Sequence, residues 1–203
     1  MNTWTSTSIH LEGEIVELLP LDKKHLNELE ILAKDPRIWE YYACDCSRSD
    51  TFKSVYKEAL IEKENGTVFP FVIYHKADNK IIGSTQYMNI QEKHRKLEIG
   101  WTWIHPTYWR TEVNLECKLL LLTHCFEEFQ ANRVQIKTDQ KNERSKKAIE
   151  KIGGEFEGLL RNDMIRENGT MRHSLYFSII NEEWPEKKAK LKNLLLQKIE
   201  QNK

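Results

Sequence analysis

The order of the hydrophobic repeats along the chain is the feature that most restricts its fold. Alternating apolar residues predict strands, and apolar residues at helical spacing predict helices. The strands fall near residues 11–20, 67–75, 80–91, 96–104, 134–138, 155–166 and 171–180, and the helices near 22–34, 49–64, 114–129 and 145–152. This order, β-α-α-β-β-β-α-β-α-β-β, is neither a repeated βαβ unit nor an all-β pattern. It predicts an α+β (mixed α/β) fold in which a mostly antiparallel, twisted sheet of about seven strands carries helices on both faces.

Composition and charge narrow the class of protein further. The 31 basic and 31 acidic residues cancel, so we expect no overall attraction to nucleic acid or to an anionic membrane. No apolar run approaches the ~20 residues that span a bilayer, and residues 1–5 do not resemble a secretory signal. We therefore expect a cytoplasmic protein. Four cysteines without zinc-site spacing and seven scattered histidines indicate free thiols and no metal site.

The chain shows no sign of a second domain. It contains no internal repeat and no low-complexity linker. We expect one domain over residues 1–184, followed by a Lys-rich helical tail over 185–203 whose apolar side packs on that domain.

Two strand–turn–helix segments are candidates for ligand binding. In residues 99–118 a strand ends at His105-Pro106 and a long helix follows. Unpaired amides and a partial positive charge at a helix N-terminus suit a phosphate, although this turn contains no glycine. In residues 137–154 a strand, a polar turn and a helix follow each other again, with Asn142 as the candidate N-cap and several cations beside it. Each segment alone is also typical of an ordinary junction, but the two in this order are a stronger signal.

The two segments resemble the signature stretches of the GNAT acyltransferase superfamily, and they are most similar to its RimJ/RimL branch of ribosomal-protein amino-terminal acetyltransferases. The first match is His105-Pro106-x-Tyr108-Trp109, followed by a turn and Glu116. The second is Asn142-x-x-Ser145-x-x-x-Ile149-x-Lys151-x-Gly153. The resemblance covers about residues 10–180. It implies the fold of that family and an N-acetyltransferase that uses acetyl-CoA as co-substrate.

The resemblance also implies where acetyl-CoA binds. Backbone groups of Trp103, Ile104 and His105 are expected to pair with the pantetheine arm. The amides of the following turn are expected to hold the pyrophosphate: Arg110, Thr111, Glu112, Val113, Asn114 and Leu115. Asn142 and Ser145 are expected to face the pantetheine and the sulfur. The 3′-phosphate is expected to meet one of the nearby cations Arg144, Lys146 or Lys147.

Glu112 departs from the family pattern. The family usually has glycine at this position of the phosphate turn, and a carboxylate there would repel phosphates. We expect it to be tolerated only if it points to solvent or pairs with Arg110.

The two catalytic candidates are Glu98 and Ser145. Glu98, on the strand that precedes the coenzyme turn, could accept the proton of the attacking amine. Because Ile149 stands where some family members have a tyrosine acid, protonation of the leaving thiolate would fall to Ser145, to water or to a tyrosine from elsewhere in the chain. A free α-amino group is partly neutral near pH 7 and a lysine is not, so a site without a strong base favours a protein N-terminus as the acceptor. Five residues are candidates for the acceptor side: Trp39, Tyr41, Tyr42, Tyr87 and Asn89.

Two other functions are compatible with the sequence. An acidic acceptor pocket would favour a small amine such as a polyamine, an aminoglycoside or an amino acid. A non-catalytic CoA-binding module is the second alternative, and Glu112 is the main argument for it. The aromatic residues and the helical tail are compatible with a homodimer.

Overall fold

The computed structural model describes Trp4 and residues 8–201. The five helices within this part are α1 Leu26–Leu32, α2 Ser49–Glu64, α3 Val113–Thr123, α4 Glu143–Lys151 and α5 Trp184–Gln201, and α3 continues as a π-helical turn over His124–Glu128. The eight strands are β1 Leu11–Glu12, β2 Val16–Pro20, β3 Phe69–His75, β4 Lys80–Gln91, β5 Lys96–Ile104, β6 Arg133–Asp139, β7 Glu155–Ile165 and β8 Met171–Ile180. Of the N-terminal residues 1–5, only Trp4 belongs to the described part, and residues 202–203 of the predicted tail also lie outside it.

All the described strands belong to one sheet with the order β1-β2-β3-β4-β5-β6-β8-β7. Every neighbouring pair is antiparallel except β5 and β6, which run parallel. Helix α3 supplies the crossover between the two parallel strands. The predicted α+β class with a mostly antiparallel sheet is confirmed.

The N-terminal strand differs from the prediction of one strand over residues 11–20. The chain instead reverses after Glu12, so that β1 and β2 form a short antiparallel hairpin and the sheet gains a strand. The buried carboxylate of Glu116 on α3 accepts hydrogen bonds from the amides of Glu14, Ile15 and Val16 at 2.7–2.9 Å. Gly13 packs directly on this carboxylate, since a Cβ there would lie 2.5 Å from it. A contact about 100 residues away therefore fixes the turn, and local sequence cannot reveal it.

Two hydrophobic cores cover the two faces of the sheet. One contains the buried residues of α3, α4 and α5, and the other contains those of α1, α2 and the loop that joins them. The predicted helices on both faces are therefore present. Leu191 and Leu195 of α5 belong to the first core, and α5 packs on α3. The C-terminal helix is therefore packed against the domain that precedes it.

Strands β5 and β6 diverge soon after they start. They pair only from Lys96 with Arg133 to Glu98 with Gln135. Beyond that point β5 stays paired to β4, and β6 to β8. Opposite β4, the register of β5 shifts around Trp101, whose φ of 48° marks a bulge. The divergence opens a wedge at the middle of the sheet, and the bulge lies on its wall.

Candidate active site

A cavity of about 580 Å³ occupies the wedge between β5 and β6. Its walls come from these two strands, from α3 and α4, from the loop after α1 and from β8. Residues of both segments that resemble the GNAT signatures therefore line a single cavity.

The N-terminus of α3 forms one end of the cavity. Arg110, Thr111, Asn114 and Leu115 line it. Thr111 is held at the turn, because its Oγ1 donates to the Tyr108 carbonyl at 2.7 Å. The first turn of an α-helix presents amides without intrahelical partners, so this end suits an anion.

The structure changes the interpretation of the unusual phosphate turn. Glu112 has ordinary helical angles, φ −71° and ψ −19°, and neither Glu112 nor the buried Val113 is among the lining residues. The left-handed backbone conformation, which favours glycine, falls instead on Arg110 with φ 66°. Backbone strain in this turn therefore lies at Arg110, whose side chain also lines the cavity.

Asn142 and Ser145 act as a helix cap and line the cavity at the same time. The Oδ1 atom of Asn142 accepts the Ser145 amide at 3.0 Å, and both residues lie on the cavity wall. Capping uses only the carbonyl oxygen of Asn142, so its amide group stays available to a ligand.

The cations near α4 are arranged differently from the expectation. Lys147 is exposed and is not among the lining residues, whereas Lys151 and Lys198 are. The Arg144 guanidinium stacks 3.5 Å from the ring centroid of Trp109 and so bridges the two signature segments across the cavity. The sequence did not predict Lys198 as a site residue, because it lies on α5, in the segment expected to form a surface tail.

The β5 wall agrees with the expectation at two of three residues. Trp103 and Ile104 line the cavity. His105 does not, because its amide donates to the Ile82 carbonyl at 2.8 Å and its carbonyl accepts the Tyr108 amide at 2.9 Å. The expectation that His105 offers backbone groups to a pantetheine arm is therefore wrong.

Glu98 is fully buried at the apex of the wedge and lines the cavity. Its Oε2 accepts hydrogen bonds from Asn89 Nδ2 and Gln135 Nε2, both at 2.9 Å. Lys137 Nζ lies 3.7 Å from its other oxygen. Its charge is thus compensated, and its position is fixed by three side chains.

Residues 38–43 and the β7–β8 hairpin enclose the other end of the cavity. Tyr41 and Tyr42 line this end, and the Tyr42 hydroxyl donates to the Thr102 carbonyl at 2.7 Å. Burial raises the pKa of Tyr42, so its phenol stays neutral. The remaining acceptor-side candidates, which lie in the core or bind other side chains and do not line the cavity, are Trp39, Tyr87 and Asn89.

A buried ion cluster supports this second end. Asp139, at the end of β6, is paired with Arg166, and Arg172 Nε lies 3.8 Å from the same carboxylate. Within the described lining, Glu98 and Asp139 are the acidic residues. Each has a cationic partner, so the cavity holds no uncompensated carboxylate in the part of the chain that the structure describes.

Lys118 is the functional candidate that the sequence analysis missed. It lies on α3, is 6% exposed, and lines the cavity. Its Nζ donates to Thr102 Oγ1 at 2.8 Å, next to the β5 bulge. Burial lowers the pKa of Lys118 from 10.5 to about 8. In the sequence it stands within an apolar helical run, where nothing distinguishes it from a surface lysine.

In the part of the chain that the structure describes, no group of three or more His, Cys, Asp or Glu residues is arranged to hold a metal ion. None of the described helices combines the length and the apolar character needed to cross a bilayer.

The model of the acetyltransferase (GNAT) domain family matches residues 16–155. The chain therefore belongs to the GNAT family, and it is an acyltransferase that depends on acetyl-CoA.

Two similar proteins support this assignment, and a third shares the fold. YdaF of Bacillus subtilis (strain 168), provisionally named a ribosomal N-acetyltransferase, is 30% identical over 183 residues, which cover 86% of this chain and 93% of YdaF. A crystal structure from T. thermophilus, provisionally named an acetyltransferase, is 30% identical with a TM-score of 0.83 and covers 94% of this chain and 98% of its own. Mycobacterium smegmatis RimJ in complex with CoA-disulfide is 22% identical with a TM-score of 0.77, at 94% and 95% coverage. At that identity RimJ supports the fold alone.

Proposed function

We propose that the protein transfers acetyl from acetyl-CoA to the α-amino group of a protein N-terminus, by direct attack of the amine on the thioester. The observation that carries the proposal is a single cavity whose lining includes the N-terminus of α3, the β5 bulge and the side chains of Tyr41 and Tyr42. Such a cavity can hold a donor at one end and an acceptor at the other, with the reacting atoms between them.

The coenzyme end has the chemistry that acetyl-CoA requires. The turn before α3 supplies backbone amides and the Arg110 cation for the pyrophosphate. Lys151 and Lys198 are the cations on the wall that suit the 3′-phosphate. Trp103 and Ile104 lie on the cavity wall where β5 no longer pairs with β6, a position that suits the amide-containing pantetheine arm. Asn142 and Ser145 face them from α4.

Two arguments favour an α-amine as the acceptor. A free α-amino group has an ordinary pKa near 7.7–8.0, whereas lysine at about 10.4 needs roughly 3 kcal/mol more to become a neutral nucleophile at the same pH. A polyamine or an aminoglycoside carries further ammonium groups, which need free carboxylates. Among the described residues, the cavity carboxylates Glu98 and Asp139 already have cationic partners.

Glu98 is the proposed acceptor of the amine proton, acting through water. It lies at the apex of the wedge, and the hydrogen bonds from Asn89 and Gln135 leave one of its oxygens with Lys137 alone. Backbone amides of the bulged segment from Trp101 to Ile104 are the proposed donors to the thioester carbonyl.

An acceptor panel with acetyl-CoA tests the proposal. Release of the free thiol is measured with a peptide that has a free N-terminus, with the same peptide blocked at its N-terminus but containing lysine, with spermidine and with an aminoglycoside. We expect the free peptide to react at least tenfold faster than each of the others. The melting temperature is measured with and without acetyl-CoA as an independent readout of binding.

Each outcome decides a different part of the proposal. Faster reaction of spermidine or of the aminoglycoside would retain the assignment as an acetyltransferase but would show that the acceptor is a small amine. A thermal shift with acetyl-CoA but no thiol release from any acceptor would favour the non-catalytic module. An unchanged melting temperature at saturating acetyl-CoA would contradict coenzyme binding itself.

A further inference from the structure

The strongest unexplained feature of the cavity is a buried cation that has no carboxylate partner among the described residues. Lys118 Nζ makes one hydrogen bond, to Thr102 Oγ1, and no carboxylate of any described residue lies within 4.0 Å of it. Its neighbour Glu116 is turned away and occupied by the amides of the β1–β2 turn. Removing an ammonium from water without pairing it is costly. Such a group is retained where the charge or the proton is used.

The surroundings of Lys118 show which groups act on it. The nearest titratable groups are Cys117 on its own helix and Cys125 on the following turn, and burial raises the pKa of both thiols, so they stay neutral. Thr102 and Thr85, which share a hydrogen bond of 2.7 Å, face it from β5 and β4. The charged residues that line the same cavity from other elements are Glu98, Arg110, Lys137, Asp139, Arg144, Lys151, Arg172 and Lys198.

The position of Lys118 connects it to the coenzyme side of the reaction. It lies on α3, one to two turns beyond the helix N-terminus that suits the pyrophosphate. Its ammonium meets β5 at Thr102, next to the bulge, and the carbonyl of the same residue accepts the Tyr42 hydroxyl. Ile149, on the facing helix, is buried and cannot donate a proton. A cleaved thioester leaves a thiolate on this side, and a proton donor is needed there.

We propose that Lys118 is the general acid that protonates the coenzyme thiolate as it leaves, and that Thr102 positions it. This inference rests on the proposed acetyl transfer. The acceptor nitrogen forms the new bond to the carbonyl carbon, and the carbon–sulfur electron pair leaves on sulfur. One ammonium proton of Lys118 passes to the sulfur, giving the free thiol and a neutral lysine. The proton lost by the acceptor nitrogen leaves through Glu98 and water, and solvent reprotonates Lys118.

The acidity of Lys118 suits this role. A thiol has an ordinary pKa near 8.5, and the pKa of Lys118 is lowered to about 8. Proton transfer is most effective when donor and acceptor are matched near the working pH. An unperturbed lysine would be a much weaker acid.

Three substitutions separate proton donation from charge and from structure. Lys118→Met removes the charge and retains an unbranched apolar side chain, while Lys118→Arg keeps the charge but cannot release its proton. Lys190→Met is the matched control, because Lys190 lies on the exposed face of α5 and pairs with Glu186. Melting temperature and the Kd of CoA, measured by calorimetry, verify that each variant folds and binds.

The first readout is the pH profile of kcat with the free-N-terminus peptide. The wild-type rate should fall above about pH 8 as Lys118 loses its proton. Lys118→Met should lose that alkaline limb and react about 100-fold more slowly at pH 7, the lower range of general-acid effects. Lys118→Arg should remain similarly slow and Lys190→Met should match the wild type. Recovery of the rate in Lys118→Arg to within about threefold would overturn proton donation in favour of a charge-only role.

The second readout does not depend on turnover. The titration of the Lys118 side chain is followed by NMR of protein labelled at the lysine ε-carbon, with Lys118→Met identifying the resonance. Saturation with CoA should move this titration by at least half a pH unit relative to saturation with desulfo-CoA, which lacks the sulfur. Identical titrations in the two complexes would refute contact with the sulfur, even though CoA binding and acetyl transfer remained intact.

Discussion

Burial of Lys118 has a consequence for stability that can be worked out from the structure. In the unfolded chain this lysine has its ordinary pKa of 10.5, and in the folded protein burial lowers its pKa to about 8. The unfolded state therefore binds more protons between these pH values, so stability must rise with pH across that window. Above pH 10.5 the lysine is neutral in both states, and the free-energy cost of burying its charge is absent. Below pH 8 the penalty is complete.

The size of the penalty follows from the same two values. At about 1.36 kcal/mol per pH unit, a pKa lowered from 10.5 to about 8 corresponds to about 3 kcal/mol at neutral pH. Lys118→Met removes it, since replacing a buried charge by an apolar side chain of similar length is often stabilising. We expect the variant to exceed the wild type by about 3 kcal/mol at pH 7, with the difference shrinking towards zero by about pH 10.5.

Equilibrium unfolding in urea between pH 7 and 10 is the measurement. Comparing the two proteins at each pH cancels the titration of the other lysines, and Lys190→Met shows whether loss of any lysine gives the same slope. A difference that stays constant across the pH range would show that Lys118 is ordinarily solvated, and the argument from its burial would fail.

Three further predictions concern the turns around the cavity. In urea unfolding, Arg110→Gly should be about 1 kcal/mol more stable than Arg110→Ala, because only glycine adopts the φ of 66° without strain. Both variants should bind acetyl-CoA more weakly than the wild type, and equal stabilities of the two variants would argue against strain at this position. Glu116→Gln should lower the free energy of unfolding by on the order of 3 kcal/mol, because it leaves buried amides without an acceptor. The control Glu128→Gln, at an exposed position, should change it by less than ~0.5 kcal/mol. The double substitution Asn142→Ala and Ser145→Ala should lower the rate of thiol release at least tenfold, but it should lower the free energy of unfolding by only about 1 kcal/mol through loss of the helix cap. An unchanged rate would show that the two residues serve only as a helix cap.

The fold could be predicted because its strongest signals are local. Hydrophobic periodicity located the strands and helices, and Asn168-Gly169 marks the hairpin between β7 and β8. Where the prediction was wrong, a distant residue decides the structure. The β1–β2 reversal depends on Glu116, which is about 100 residues away in the chain. No propensity within residues 11–20 could reveal that contact.

The candidate site was predictable only as far as its motifs extend. The resemblance to the GNAT signatures pointed to Asn142 and Ser145, and both line the cavity. Lys198 was not, because its place on the wall depends on how α5 packs across α3. The sequence also does not show which backbone amides are already hydrogen-bonded or which residue of a turn adopts a positive φ. His105 lies within the motif, but its amide is used by β4, and the left-handed residue is Arg110 instead of a glycine.

Three residues that sequence rules would reject line one cavity, while Arg95 and Gln130, which also have positive φ, lie outside it. Arg110 holds a conformation that costs a non-glycine residue on the order of 1–2 kcal/mol. Lys118 is a buried ammonium without a carboxylate, and Trp101 has a positive φ at the bulge that meets it. All three line the wedge between β5 and β6. Local features that oppose folding persist where the surrounding structure compensates for them, and they gather at functional sites. Together with the buried charge of Lys118, the two strained residues at this cavity support a functional site there without reference to any other protein. The pH dependence of Lys118→Met tests it directly.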